Sequence, residues 1–206
     1  FAALIGFAAC TSKPSYEVKL KLNGASGKAY LNQRQNGKWV KLDSVDLVNG
    51  EGSFKGAVVI PEVYYIEAGK KGQNLPLFVE NSVITVEGLA DSLWKAKVIG
   101  SKIQDEYQAL GKKLENIEKE GSKLYKQSKD AKDAGNKAKA DSLMDLADKA
   151  FMEVEKVQKD YVKANPASYI SPFLLSQVYY DMDADVLEGY LNGFDKKLEP
   201  VQIVKT

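Results

Sequence analysis

The stretch Val98-Ile99-Gly100-Ser101-Lys102-Ile103-Gln104-Asp105-Glu106-Tyr107 decides the fold, because the spacing of apolar residues changes within it. Before it, from residue 16 onwards, apolar and polar side chains alternate, which is the period of a strand with one buried face. After it, apolar residues recur every three or four positions, which is the period of a helix. Ser101 and Gln104 fit a capping box, in which the serine accepts a hydrogen bond from a first-turn N–H and the glutamine reaches back to the serine. The sequence therefore predicts strands up to residue 100 and a helix from residue 101.

The region 16–100 predicts a β domain of about eight strands. The dipeptides Asn23-Gly24, Asn36-Gly37 and Asn49-Gly50 suit tight turns, because asparagine and glycine tolerate positive φ. Among the predicted strands are 38–42, 44–48 and 77–80. Short strands at this spacing are typical of an antiparallel β-sandwich or open barrel.

The region 101–164 predicts a long antiparallel helical hairpin. A first apolar run from Ile103 to Ala131 is broken by Gly135-Asn136, and a second run follows from Leu143 to Ala164 in alternating steps of four and three. Such steps place one apolar seam on each helix, as in a coiled coil. A first helix of about 34 residues would be roughly 50 Å long and would project beyond a small sandwich.

The region 165–206 predicts two shorter helices. Pro166 ends the hairpin, because proline lacks an N–H and the residue before it avoids the helical region. Ser171 is expected to cap the third helix, with Pro172 at its first position. Asp183 is expected to cap the fourth. The expected fold class is therefore α+β: a β-sandwich or open barrel, a long hairpin and two shorter helices.

Composition excludes several classes of site. The chain has 206 residues, no histidine and one cysteine, so no Ser-His-Asp triad, His-bearing zinc site or internal disulfide can form within it. Its net charge is +1 and its only arginine is Arg34, which argues against nucleic acid as a partner. No carboxylate pair lies in an apolar context that would raise one pKa. We expect no catalytic residue, no metal and no cofactor within these residues.

The single cysteine, Cys10, follows an uninterrupted apolar run. Phe1–Ala9 ends in two small residues and is much shorter than the roughly 20 residues that span a bilayer. The polar residues 11–15 that follow are typical of a tether. The segment resembles a bacterial lipoprotein lipobox, which implies a lipid on Cys10 and makes 1–10 the end of a signal. The alternative is a buried structural cysteine after a short core strand.

Trp39 and Trp94 are the candidate ligand-binding residues. Both fall in the predicted β region, where indole rings can line a face for a glycan, a peptide or an apolar ligand. Aromatic residues at strand positions are more often part of cross-strand or core packing. Both interpretations stay open at this point.

Two motifs carry a resemblance that covers the whole chain. Gly-Ser-x-x-Gln-Asp-Glu-Tyr at 100–107 and Asn-Pro-x-Ser at 165–168 resemble the N-terminal domain of unknown function in Bacteroidetes-type lipoproteins. In that family this domain precedes a thioredoxin-like domain of the alkyl hydroperoxide reductase/thiol-specific antioxidant type, whose Cys-x-x-Cys has no counterpart here. The resemblance implies that the chain continues past Val204-Lys205-Thr206 into that domain.

The expected function is a lipid-anchored, non-catalytic module of the bacterial cell envelope, facing the periplasm. Its expected partners are the membrane, through the lipid on Cys10, and a thioredoxin-like thiol–disulfide oxidoreductase domain in cis. Self-association as a homodimer through the hairpin is a further expectation. The alternative is a stand-alone lipoprotein whose sandwich binds a ligand at Trp39 or Trp94.

Overall fold

The computed structural model of the chain describes residues 15–69 and 73–205. It confirms the α+β class, with eight strands in two sheets followed by two long and two shorter helices. The strands are β1 Tyr16–Asn23, β2 Gly27–Gln35, β3 Lys38–Leu47, β4 Glu51–Gly56, β5 Glu62–Glu67, β6 Asn74–Val79, β7 Val83–Leu89 and β8 Lys97–Ile99. The helices are α1 Lys102–Asp133, α2 Lys137–Ala164, α3 Ser171–Val178 and α4 Ala184–Gly193.

The two sheets form an open sandwich rather than a closed barrel. The first sheet has the order β4-β1-β7-β8 and the second has the order β3-β2-β5-β6. Most neighbouring strands are antiparallel, as predicted, but β1 and β7 run parallel, with Glu17 opposite Val83. The sandwich therefore contains one parallel strand pair between two antiparallel ones.

The first core lies between the two sheets. It takes alternate residues of each strand, such as Val18 and Leu20 from β1 and Leu31 from β2, all of which are buried. The intervening residues of β1 are lysines and a glutamate that face solvent. This alternation is the reason that the sequence pattern identifies the strands.

A second core lies on the outer face of the second sheet, where the helices cover it. Val63 and Phe78 of this sheet pack with Leu110 of α1 and Phe173 of α3. The Phe78 ring lies 5.5 Å from the Phe173 ring in an edge-to-face contact. The second sheet is thus covered on both faces, by the first sheet and by the helices.

We use the name tether end for the end of the sandwich at which β1, β5 and β7 begin. Tyr16 pairs there with Gly56, and the loop 57–61 crosses from the first sheet to the second. The loop 80–82 crosses back, so both sheets have this end in common. Because β2 is antiparallel to β5, the turn between β2 and β3 also lies towards the tether end.

The hairpin starts at the tether end. Helix α1 begins at Lys102, and the Gln108 side chain donates a hydrogen bond to the Val98 carbonyl, which is level with Val86 in the middle of the first sheet. Its 32 residues make a helix about 48 Å long. The longest strand has 10 residues and is about 34 Å long, so α1 is longer than any strand of the sandwich.

Two local predictions are corrected. Residues 38–47 form one strand rather than two, because a bulge at Leu42 shifts the register and interrupts the alternation. Ser171 is the first residue of α3 rather than its cap, and its hydroxyl donates to the Asn165 carbonyl at 2.7 Å.

Candidate functional site

The predicted lipidation site, Cys10, lies outside the residues that the structure describes. The first described residues, Ser15 and Tyr16, lie at the tether end. No described helix combines the length and the apolar character needed to cross a bilayer. The lipid on Cys10 stays a prediction.

Trp39 lies on β3, at the outer face of the second sheet, and its side chain is 51% exposed. Its ring packs edge-on against Tyr65, with 4.8 Å between the centroids. The Arg34 guanidinium lies 5.2 Å from the indole centroid, within the range of a cation–π contact. Among the described residues, no carboxylate forms an ion pair with Arg34. Trp39 and Arg34 thus form an exposed aromatic site with a positive charge.

Tyr179 and Tyr180 extend this site from the end of α3. Their rings stack with 4.3 Å between centroids, and both side chains are exposed. The hydrogen bond with Tyr180 raises the pKa of Tyr179, and the charge of Arg34 opposes that shift. We call Arg34, Trp39, Tyr179 and Tyr180 the aromatic surface. Of these residues, the sequence predicts only Trp39 as part of a site, because no local pattern links β2 to a segment more than a hundred residues away.

Trp94 lies in a different place. It belongs to a short 3₁₀ helix, Ala90–Lys95, and its side chain is 59% exposed. This helix follows Leu89, which pairs with Asn23 at the end of β1. Trp94 is therefore at the end of the sandwich opposite the tether end. The structure does not bring Trp94 and Trp39 together in one site.

The junction 100–107 is a docking point between the sandwich and the hairpin. Ser101 caps α1 as predicted, since its Oγ accepts from the Gln104 N–H at 3.1 Å. The Gln104 side chain does not reach back to Ser101. Its Oε1 accepts from the Phe78 N–H of β6 at 3.0 Å, and the residue is 3% exposed. The predicted capping box is thus half formed, because the glutamine satisfies a buried backbone donor of the sheet instead.

Both motifs that carry the family resemblance meet at Glu106. Its Oε1 accepts hydrogen bonds from the Tyr161 hydroxyl and, at 2.7 Å, from the Ser168 hydroxyl. Burial and the hydrogen bond to Glu106 raise the pKa of Tyr161 to about 12. The carboxylate therefore joins α1, α2 and the segment before α3. Glu106 and Ser168 belong to the two sequence motifs, but the sequence does not predict their contact, because they are 62 positions apart.

Two shallow depressions lie elsewhere on the molecule. One is beside the turn of the hairpin, lined by Ser128 and Met144, and the other is on the outer face of the first sheet, lined by Lys19 and Ser53. Neither is lined by Trp39 or Trp94. Within residues 15–69 and 73–205, no cluster of acidic, histidine or cysteine side chains could hold a metal ion.

Comparison with protein families matches the sandwich and the first turns of α1. Residues 16–107 match the domain of unknown function DUF4369. The match includes all eight strands and the whole Gly100–Tyr107 junction. Comparisons with curated proteins and with solved structures gave no match.

Proposed function

We propose that the chain is a non-catalytic module of the bacterial cell envelope, held at a membrane by a lipid on Cys10 and carrying a thioredoxin-like domain behind residue 206. The observation that carries this proposal is that both ends of the described chain lie at the tether end. Tyr16 begins β1 there, and the backbone N–H of Gln202 contacts the carboxylate of Glu62, the first residue of β5, at 3.3 Å. A domain that follows would start close to the membrane anchor.

The packing of the C-terminal segment supports a positioning role. Leu198 and Val201 are buried, and the 3₁₀ turn Gln202–Lys205 follows directly. A segment that is packed in this way gives a following domain a defined starting point, whereas a Gly/Ser-rich linker would let it move freely.

The contacts of the junction support a scaffold role for the hairpin. The junction side chains have two roles. Ser101 caps α1, whereas Gln104 and Glu106 bond to other parts of the domain. The side chains that carry the family resemblance thus hold the sandwich and the helices together, as expected of a rigid spacer.

The anchor is tested by replacing the thiol. Cys10→Ser leaves the apolar run intact but removes the sulfur that a lipid would modify. In the native host we expect the variant to move from the membrane pellet to the soluble envelope fraction and to lose incorporation of a labelled fatty acid. Thr11→Ala, which keeps the thiol, is the matched control and should stay in the pellet. A Cys10→Ser protein that stays membrane-bound contradicts the anchor.

The C-terminal partner is tested by reading the gene beyond the codon for Thr206. We expect an open frame encoding a domain with Cys-x-x-Cys. A stop codon within a few codons, or a following domain without that motif, contradicts this part of the proposal.

A second candidate function is ligand binding at the aromatic surface, and the exposure of Trp39 beside Arg34 favours it. Indole and guanidinium groups are enriched at binding hot spots. Trp94→Phe leaves Trp39 as the only indole, so its fluorescence can be followed during titration with a neutral oligosaccharide or an acidic peptide. Saturable quenching supports binding, and an unchanged signal at millimolar ligand argues against it.

Self-association through the hairpin is a further part of the proposal. Tyr125 on α1 and Met152 on α2 are more than half exposed, which offers apolar area to a second copy. Light scattering of the purified chain at high micromolar concentration should give a dimer mass. A monomer mass alone contradicts the dimer.

A further inference from the structure

We propose that the loop 57–61 at the tether end inserts into the lipid headgroup region, so that the module stands on the bilayer with its hairpin pointing away. This inference rests on the proposed lipid on Cys10. It adds a second membrane contact, made by the folded domain itself, and with it a defined orientation.

The chemistry of the loop suits a lipid interface. Ala57-Val58-Val59-Ile60-Pro61 is a run of five apolar residues without a charge. Val58 packs against the core between the sheets, whereas the Val59 side chain is completely exposed. A single exposed valine is common on protein surfaces. A membrane contact requires in addition that the loop is held with Val59 outwards and that it lies close to the bilayer.

The loop is held in place on both sides. The Asn81 side chain accepts from the Val58 N–H at 3.0 Å and donates to the Val58 carbonyl at 2.6 Å. Just before the loop, the Tyr16 hydroxyl covers Gly56 and lies 2.6 Å from where a Cβ would stand. These contacts keep Val59 pointing outwards and reduce the entropy lost when it enters another phase.

The tether restricts where this end can lie. Cys10 and Tyr16 are six positions apart in sequence, so their Cα atoms are at most about 22 Å apart. A lipid on Cys10 therefore keeps the tether end close to the bilayer surface at all times. At such a high local concentration, a weak apolar contact is enough to be populated.

A second exposed apolar side chain lies at the same end. Val83 begins β7 beside Glu17 and is about half exposed. The Glu17 carboxylate contacts the ammonium group of Lys55 at 3.2 Å, and the Lys55 side chain is mostly exposed. Val59 and Val83 thus offer two exposed apolar side chains at the end that the tether holds near the bilayer.

The test uses the single thiol to supply the anchor chemically. The chain from Cys10 onwards, which keeps every described residue, is coupled to a maleimide lipid in vesicles of phosphatidylethanolamine and phosphatidylglycerol that contain acyl-chain-brominated phosphatidylcholine. Two proteins with a single indole each are compared. The first is a triple variant, Val59→Trp, Trp39→Phe and Trp94→Phe, whose only indole is at position 59. The second, the control, carries Trp39→Phe alone and keeps Trp94 at the opposite end.

We expect brominated lipid to quench the indole introduced at position 59 at least twofold and to leave Trp94 nearly unchanged. Absence of quenching at position 59, or equal quenching of both indoles, overturns the inference.

Hydrogen exchange of the peptide 57–61 gives a second readout, measured on the lipid-coupled protein without the tryptophan substitutions. Vesicles should slow it several-fold, Val59→Asp should abolish the effect, and Leu89→Asp at the opposite end should leave it intact. Exchange that vesicles do not slow further overturns the inference, and exchange that slows with rising protein concentration in the absence of vesicles identifies a second copy of the chain as the occupant and overturns it too.

The lipid on Cys10 and the insertion of the loop 57–61 can be contradicted independently of each other. If Cys10→Ser stays membrane-bound in cells, the natural anchor is wrong, but the vesicle result still reports on the loop. If the loop is not quenched in vesicles, the anchor in cells is unaffected.

Discussion

At the residue scale, Gly100 is the glycine of the junction, and its conformation and surroundings leave no room for a side chain. Its φ is +98°, and a Cβ there would meet the Val83 carbonyl oxygen far inside contact distance. We expect Gly100→Ala to lower the free energy of unfolding by ~3 kcal/mol or more, measured by urea denaturation. Gly24→Ala is the matched control, because Gly24 has a similar φ of +79° but open space around it. It should cost about 1 kcal/mol. Equal losses would show that the close approach to Val83 is unimportant.

Tyr161 gives a pH dependence at the same scale. Its pKa is raised from 10.0 to about 12 in the folded state, mainly by burial and the hydrogen bond to Glu106. Between those two values the unfolded chain loses the phenolic proton before the folded chain does. The contribution of Tyr161 to stability is therefore complete below pH 10 and is lost as the pH rises towards 12. We expect Tyr161→Phe to make the fall in unfolding free energy over this range less steep. An unchanged slope contradicts this.

The junction also shows what a local motif can and cannot predict. The capping role of Ser101 follows from four consecutive residues and is confirmed. The partner of Gln104 does not follow from these four residues, because the buried N–H of Phe78 belongs to a strand 26 positions earlier. A buried backbone N–H needs an acceptor, and the fold rather than the motif determines which side chain provides it.

At the element scale, the hairpin depends on the close approach of its helices. A Cβ on Gly121 of α1 would lie 3.0 Å from the Phe151 ring and 3.2 Å from the Ala150 Cβ of α2. We expect Gly121→Leu to separate the helices and to cost about 1–3 kcal/mol. Gly111→Leu on the same helix, with open space around it, should be neutral or stabilising, since glycine is a poor helix former. Hydrogen exchange in α2 measures the difference, and faster exchange in both variants contradicts the explanation.

The sequence predicts where the strands lie better than it predicts where each strand begins and ends. The interruption at Leu42 is a bulge rather than a strand end, and alternation alone cannot distinguish the two. Strand β6 begins at Asn74 rather than Leu77, because Pro76 lies on the last strand of its sheet, where a missing N–H is tolerated.

At the scale of the whole molecule, the second sheet couples the sandwich to the helices. Phe78 is buried, and its ring contacts both Tyr107 of α1 and Phe173 of α3. We expect Phe78→Ala to cost about 3–5 kcal/mol. In the unaltered chain, unfolding followed by the fluorescence of its two tryptophans, which both lie in the sandwich, and by helical circular dichroism should give one shared midpoint. Separate midpoints would show that the sandwich and the helices are independent units.

The candidate sites could be predicted only in part. The sequence identifies Trp39 and Trp94 by residue type, but their separation follows from strand order, which residue type does not determine. Arg34 is identified as the only arginine, yet its place beside Trp39 requires the pairing of β2 with β3. The tether end likewise depends on two crossings between the sheets, which local alternation does not predict.

The most direct test of the central claim is the intact mass of the protein extracted from the membrane of its native host, with fragmentation of its N-terminal peptide. Our account predicts that the first residue is Cys10, that Phe1–Ala9 is absent, and that the sulfur carries a diacylglyceryl group. An unmodified thiol on Cys10, or a peptide that still contains Ala8 and Ala9 before it, would contradict the account.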